Sequence, residues 1–570
     1  MNSPPQRMLG VAVLLGLTLA LYFHALGTLP FYTIGEPREA LEIWEEIHTG
    51  EWVLPSRNGI DLPSKPPLFH WLGGLTALAT GTVDEFAARF PSALLATVTV
   101  LLVYGYGARK WGTAAGMFAA CMLATNFEWI RAARGARVDM VLTTFLTGAC
   151  IAFEAAASGA SPRRRPLILF YLCMGLATLA KGPIGFLLPG CIAMTYLALR
   201  QDLRRLRRLH VLGGGILAVG LPACWYLAAT LHGGMAFVYK QILIENLMTF
   251  FGWTADPGTP SHSFFYVVPA FFTGFAPWSL FVVPLAMYLY QVGRRRLDRE
   301  GYLYPLVWFV VIFVFFMVAA GKRTVYLLPL YPAAALLLGA WWSHLSTVPS
   351  TIRVGWTAAL RACAVVCACA LAVVLVAVVA EAFGGSPLDR LAPFLHHTDR
   401  ENLPLVHETI RAHPLHFLGW AGVAAAATLL LTIATWRRRW AAVFSSLVIL
   451  VTGTTLLVNG VIHPEIARRR TFKPFMDTVR TTLEDGGQLS FYHTFDYGAV
   501  FYWRQRIPVI GGDLAKLQNT GRTQYVLLWE SEWNTLPAEV REKLRFVRRS
   551  DGTGPDARDR LVLARLRQTS

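Results

Sequence analysis

The chain has 570 residues, 54% of them hydrophobic and 15% charged, with a mean hydropathy of +0.44 and a formal net charge of +17. So apolar a composition excludes an ordinary water-soluble protein and points to a polytopic membrane protein. Much of the positive charge sits in short loops between apolar runs, where it signals topology and affinity for anionic headgroups, so it does not imply nucleic-acid binding.

Apolar runs of about 17 to 25 residues, long enough to cross a hydrocarbon core of about 30 Å as helices, recur from Met8 to Ile462. They fall near residues 8–27, 86–107, 112–128, 139–158, 166–180, 183–200, 209–230, 264–290, 303–320, 327–345, 355–380, 415–435 and 441–462, about thirteen spans. The first, Met8 to Leu26, reads as an uncleaved span, because Ala25-Leu26-Gly27 is a weak cleavage context.

Basic clusters occur at Arg109-Lys110, Arg163-Arg164-Arg165, Arg204-Arg205 with Arg207-Arg208, Arg294-Arg295-Arg296 and Arg437-Arg438-Arg439. All share one side if the amino terminus is cytoplasmic and residues 68–81, about 14 in number and short for a crossing, form an interfacial or re-entrant element containing Trp71. Everything after Ile462 is then outside. All eight cysteines, Cys363 and Cys367 included, fall in predicted spans, so no disulfide framework is expected.

Two outward loops are long, 28–85 and 231–263, and a third, 381–414, is less patterned. In the first, Glu36 as cap, Pro37 at the first helical position and Gly50 as stop predict a helix. Leu41, Ile43, Trp44 and Ile47 form an apolar stripe opposite Glu42, Glu45, Glu46 and His48, which suits a helix lying on the bilayer surface. The domain expectation is a membrane domain over 1–462 and a soluble α/β domain over 463–570. The latter should have strands over 488–495, 506–510, 525–529 and 561–566 and a helix over 537–544.

Several ionisable residues sit at outward ends of spans or in outward loops, where the positive-inside tendency does not explain them. Glu36 is either a helix cap or a reacting carboxylate, and Asp139, opening a span, is either a helix-start carboxylate or a cavity group. Arg38, Lys65, Arg137 and Lys181, with Lys322 and Arg323 before Tyr326, supply cations able to hold a phosphate. For Lys181-Gly182-Pro183 the alternative is a tight helix hairpin whose lysine snorkels to the interface. His262, near Glu245 and Asn246, is a solvated loop histidine or a metal ligand. No zincin, P-loop or dinucleotide-binding fingerprint is present, which argues against an ATP-driven pump.

Taken in order, Glu36 and Arg38, Lys65-Pro66-Pro67-Leu68 with Trp71, Arg89 with Pro91 and Ser92, Asp139, Lys181-Gly182-Pro183, Pro277-Trp278 and Lys322 through Pro332 resemble the ArnT-like branch of GT-C membrane glycosyltransferases. This is the group that includes aminoarabinose transferases and dolichyl-phosphate-mannose-protein mannosyltransferase-like proteins. The resemblance implies a GT-C fold, an undecaprenyl-phosphate-linked sugar donor, and inverting transfer at the periplasmic face of a bacterial inner membrane. Lipid A is the implied acceptor, with 4-amino-4-deoxy-L-arabinose as the sugar of the best-known member. Three positions depart from the pattern: Gly35 replaces an Asp, Ser64 an acidic residue, and Glu39 an aromatic.

On this basis Glu36 and Asp139 are the expected catalytic carboxylates. Arg38, Lys65, Lys181, Lys322 and Arg323 are the expected phosphate ligands, and Tyr326, Trp71 and Glu245 the expected cavity residues. His262 is the one candidate for a divalent metal, and no cofactor is otherwise implied. Transfer to protein Ser or Thr, or to another envelope glycan, is the alternative on the same fold. A non-catalytic transporter of lipid-linked sugar is disfavoured because the candidate groups cluster on one side and inverted repeats are absent.

Overall fold

The computed structural model describes residues 4–158, 163–253, 262–345, 403–483, 486–517, 522–555 and 559–567, and part of 361–394. The first nine α-helices are α1 (Pro4–Thr18), α2 (Glu36–Thr49), α3 (Leu68–Thr80), α4 (Glu85–Trp111), α5 (Thr113–Ala124), α6 (Phe127–Ala133), α7 (Val138–Ala157), α8 (Arg164–Lys181) and α9 (Ile184–Leu199). Among the described residues seven helices are long and apolar enough to span a bilayer. An eighth span results if Phe264–Gly274 and Trp278–Val292, bent by 109°, make one crossing. The protein is therefore a polytopic helical membrane protein with a small carboxy-terminal sheet.

The span count differs from about thirteen because several apolar runs fold as shorter helices. Residues 112–128 contain only Thr113–Ala124 before a break at Thr125 and Asn126, and 183–200 and 303–320 give Ile184–Leu199 and Leu303–Val318. The run at 264–290 is the bent pair. The run at 355–380 lies largely outside the described residues, as do Cys363 and Cys367, its described end being Ala372–Glu381. The six described cysteines are free.

The chain divides into two compact units. The first comprises residues 1–24, 64–69 and 92–461. Within it α7 and α8 pack along one another, so that the start of one lies beside the end of the other. The turn from α8 to α9 needs two glycines. Gly182 has φ +84°, and a Cβ on Gly185 would lie 2.2 Å from the Ala177 carbonyl carbon.

The second unit comprises residues 25–63, 70–91 and 462–570. It joins the loop around α2 to the carboxy-terminal tail through long-range bonds. Asn58 donates to the Ile507 carbonyl and accepts from the Ile507 amide, both at 2.8 Å, while the Phe31 amide donates to the Tyr502 hydroxyl at 2.8 Å. The sheet has the order β1-β2-β4-β3, where β1 (Gln488–Phe491) is parallel to β2 (Gln524–Trp529). β4 (Leu561–Leu566) is antiparallel to both β2 and β3 (Leu544–Arg549). Tyr492, Ile510, Val526, Leu528 and Ala564 fill its core.

Two expectations for the tail are corrected. Residues 506–510 contribute only a single bridge, Phe491 to Val509, and the helix expected over 537–544 is Ala538–Glu542, followed by the unforeseen β3. β3 reads Leu-Arg-Phe-Val-Arg-Arg and is exposed after Leu544, so it carries no alternation of buried apolar residues to betray it.

α2 has the predicted bounds but not the predicted cap or surroundings. Its N-cap is Gly35 at φ +83°, with Pro37 in the first turn, and its C-cap is Gly50 at φ +73°, whose amide donates to the Glu46 carbonyl. Glu42, Glu45 and Glu46 are all buried, as are Leu41, Ile43 and Trp44, so the helix is covered on both faces rather than floating with its acidic face in water.

Candidate active site

In the first unit, packing of α7 against α8 places Asp139, in the opening turn of α7, against Lys181, the last residue of α8. The two form an ion pair. Each charge sits at the helix end whose dipole favours it. The Lys181 ammonium also lies 3.7 Å from the centre of the Tyr326 ring, a cation–π contact. Nearby, Lys65 donates to Glu245 at 2.7 Å.

Lys65, Lys181, Glu245, Asn246 and Tyr326 line one cavity of about 430 Å³. Its remaining walls are mostly apolar, with Phe250, Phe251, Phe315, Phe316, Ile242 and Leu187 among them. Two ammonium groups in the wall of a largely apolar chamber suit an amphipathic anion with a hydrocarbon tail. Four residues singled out from the sequence are thereby brought together, with Asp139 attached through Lys181.

Lys322, Arg323 and His262 do not line this cavity. The Lys322 ammonium is buried and donates to the Ser263 and Met317 carbonyls at 3.2 and 3.0 Å, tying down the chain at that point. Arg323 is half-buried and precedes the turn Thr324–Leu330. His262 stacks on Tyr266 with ring centres 3.9 Å apart, and it belongs to no group of three metal-ligating side chains among the described residues.

The second unit holds Glu36, Arg38 and Trp71. Glu36 is 1% exposed and both its oxygens accept from Arg89, at 2.8 and 3.2 Å. Arg89 also donates to the Leu26, Leu29 and Pro30 carbonyls, so this pair fixes the chain leading into α2. Trp71 donates its indole N–H to the Trp52 carbonyl at 2.8 Å.

Arg38 grips Oε1 of Glu39 from Nε and Nη2, at 3.2 and 2.9 Å. Oε2 of Glu39 meets His70 Nε2 at 2.8 Å, His70 Nε2 lies 3.1 Å from Oε2 of Glu42, and Oε1 of Glu42 is paired with Arg57. Burial opposes charge on Glu39, but Arg38 and His70 outweigh it and hold the carboxyl well below the usual range. Burial likewise opposes the His70 charge, yet Glu42 and Glu39 prevail and raise its pKa to about 9.

Sequence reasoning did not single out this buried array. The available signal was Glu39, Glu42 and Glu46 at spacings of three and four, which places them on one helical face. His70 lies within an apolar segment beside Trp71.

Comparison with known proteins was decisive for the fold. The chain superposes on ArnT from Cupriavidus metallidurans bound to undecaprenyl phosphate with a TM-score of 0.76 and 21% identity, covering 99% of this chain and 98% of that one. The chain has the ArnT-type GT-C fold. Residues 64–227 match the dolichyl-phosphate-mannose-protein mannosyltransferase family model. An undecaprenyl phosphate-α-4-amino-4-deoxy-L-arabinose arabinosyl transferase from Aeromonas hydrophila is 28% identical over 327 residues, 56% of this chain and 58% of the relative. An Enterobacter protein of the same name is 25% identical over 485 residues, 83% and 80% of the two chains. The chain thus spans about three fifths of the length of the first relatives it matches, an uncharacterised Aquifex aeolicus protein (28% identical, 61% covered) and the Aeromonas transferase. Gly35, the N-cap of α2, has left-handed backbone at φ +83°, a conformation that glycine adopts without strain.

Proposed function

We propose that this protein is an inverting membrane glycosyltransferase that moves a sugar from an undecaprenyl phosphate donor to lipid A. The observation that carries the reading is the cavity holding Lys65 and Lys181 amid phenylalanines. It offers charge for a phosphate and apolar surface for a polyprenyl chain. The ArnT-type fold and the names of the relatives point to the same donor.

For transfer, an acceptor oxygen attacks the anomeric carbon as the bond to the lipid phosphate breaks, and negative charge builds on the leaving phosphate. Lys65 and Lys181 stabilise that charge, an effect worth about 3 kcal/mol per donor in a water-poor site. Before the donor arrives their charges are balanced by Glu245 and Asp139. Phosphate binding to Lys181 frees Asp139 to orient the acceptor or take its proton. Glu36, with both oxygens committed to Arg89, serves by holding the turn ahead of Arg38. Lys322 secures the chain before Tyr326, and Arg323 remains a candidate for a second phosphate.

The basic loops support a cytoplasmic amino terminus, and an odd number of spans then puts the carboxy-terminal α/β domain of residues 463–570 in the periplasm, with transfer at the outer face of the inner membrane. The test is mass spectrometry of lipid A and other envelope glycans from cells with and without the protein. A lipid A sugar lost on deletion and restored by wild type but not by Asp139→Asn is the expected result. Unchanged lipid A with altered protein or polysaccharide glycans would replace the acceptor, and no change in any glycan would remove the transferase reading.

A further inference from the structure

The array between α2 and α3 has the geometry of a metal centre, and it is independent of the transferase reading. The two helices approach closely at Gly73, where a Cβ would come within 2.3 Å of Ile43, and at Gly74, where it would come within 3.3 Å of Glu46 Oε2. Glu39, Glu42 and His70 lie at this contact, and one ligand atom from each falls within 4.8 Å of the others.

Each carboxylate divides its two oxygens in the same way. Oε1 of Glu39 is taken by Arg38 and Oε1 of Glu42 by Arg57, while both Oε2 atoms turn to His70 Nε2, at 2.8 and 3.1 Å. Arginines that clamp one oxygen and aim the other are what orient carboxylate ligands in metal sites. Ligands at about 2.0 Å from a tetrahedral ion stand about 3.3 Å apart, close to the 2.8 and 3.1 Å that separate His70 Nε2 from the two carboxylate oxygens.

A second observation points the same way. Glu46, one turn beyond Glu42, is fully buried, and neither of its oxygens has a hydrogen-bond partner among the described residues. It faces α3 at Gly74, one turn beyond His70. Oε2 of Glu42, though near His70, also lacks a well-aligned hydrogen bond.

We propose that Glu39, Glu42 and His70 bind a structural zinc ion that joins α2 to α3. An imidazole with carboxylates favours a transition ion over magnesium or calcium. Zinc takes the place of the proton on His70 Nε2, and Glu39 Oε2 and Glu42 Oε2 supply the carboxylate ligands.

The test uses full-length protein in detergent, stripped with chelator, incubated with zinc chloride, desalted and assayed for metal. About one zinc per chain is expected for wild type and for His262→Ala, falling at least tenfold in His70→Ala and Glu42→Gln. Equal zinc in wild type and His70→Ala would overturn the proposal, as would no retained zinc in folded wild type, which leaves a proton-bridged array instead. Should either variant fail to fold, zinc-edge X-ray absorption on wild type decides: one imidazole with oxygen ligands near 2.0 Å supports the site, and a shell lacking imidazole refutes it.

Discussion

Lys181 is held from two sides at once, by the carboxylate of Asp139 and by the face of the Tyr326 ring 3.7 Å from its ammonium. Lys181→Ala is expected to lower transfer by roughly 100-fold, the scale of losing one donor to a developing charge. It also leaves Asp139 without its partner. The double variant Lys181→Ala/Asp139→Asn should recover thermal stability but not activity, measured by unfolding scans and by sugar transfer in detergent. Recovered transfer in the double variant would take Lys181 out of phosphate binding.

The Lys65 and Glu245 side chains are only 20% and 17% exposed, so truncating Lys65 removes this partner from a partly buried Glu245 and costs stability. Lys65→Ala should lower Tm and raise the KM for polyprenyl phosphate sugar by about tenfold, while Lys65→Ala/Glu245→Gln should recover Tm but not KM. A large fall in Tm with an unchanged KM would make Lys65 structural.

Glu36 and Arg89 form a buried pair, and losing one partner of such a pair costs about 3 to 5 kcal/mol. Arg89→Ala also strands the Leu26, Leu29 and Pro30 carbonyls. Both Arg89→Ala and Glu36→Gln are expected to reduce the yield of folded protein, and Arg89→Lys should not rescue it because one ammonium cannot replace the guanidinium fork. Normal stability of Glu36→Gln with abolished transfer would return Glu36 to a direct catalytic role.

In chelator-stripped protein, His70 and Glu39 give opposite pH limits. The His70 pKa is raised from 6.5 to about 9, so its charge stabilises the fold fully below pH 6.5 and that contribution is lost as pH rises through 9. Glu39 is lowered, so its contribution is present above about pH 4.5 and is lost in more acidic solution. Denaturation of wild type and His70→Gln across pH should show the alkaline loss in wild type alone. Parallel profiles would mean His70 is not charged in the fold.

Much of the candidate site was legible because membrane solvation restricts where charge can stand. Lys65, Lys181 and Glu245 sit at the edges of apolar runs, and an ionisable group there usually faces a cavity or a partner. The acidic residues of α2 misled for the same reason in reverse. Glu42, Glu45 and Glu46 resembled a wet helix face, but Arg57, His70 and Arg506 compensate or approach them from segments far along the chain. Burial of charge depends on such partners, which no local pattern records.

By itself the sequence determined that this is a many-span helical membrane protein with a small α/β tail and cations at the edges of its apolar runs. Those properties follow from hydropathy, charge asymmetry and motif order, all of which act along the chain. Only the tertiary structure decided which cations share a cavity, that Asp139 neutralises Lys181, and that Asn58 pairs with Ile507 across 449 residues. Those outcomes depend on side chains from distant segments meeting at hydrogen-bond distance, and spacing along the sequence does not fix such meetings.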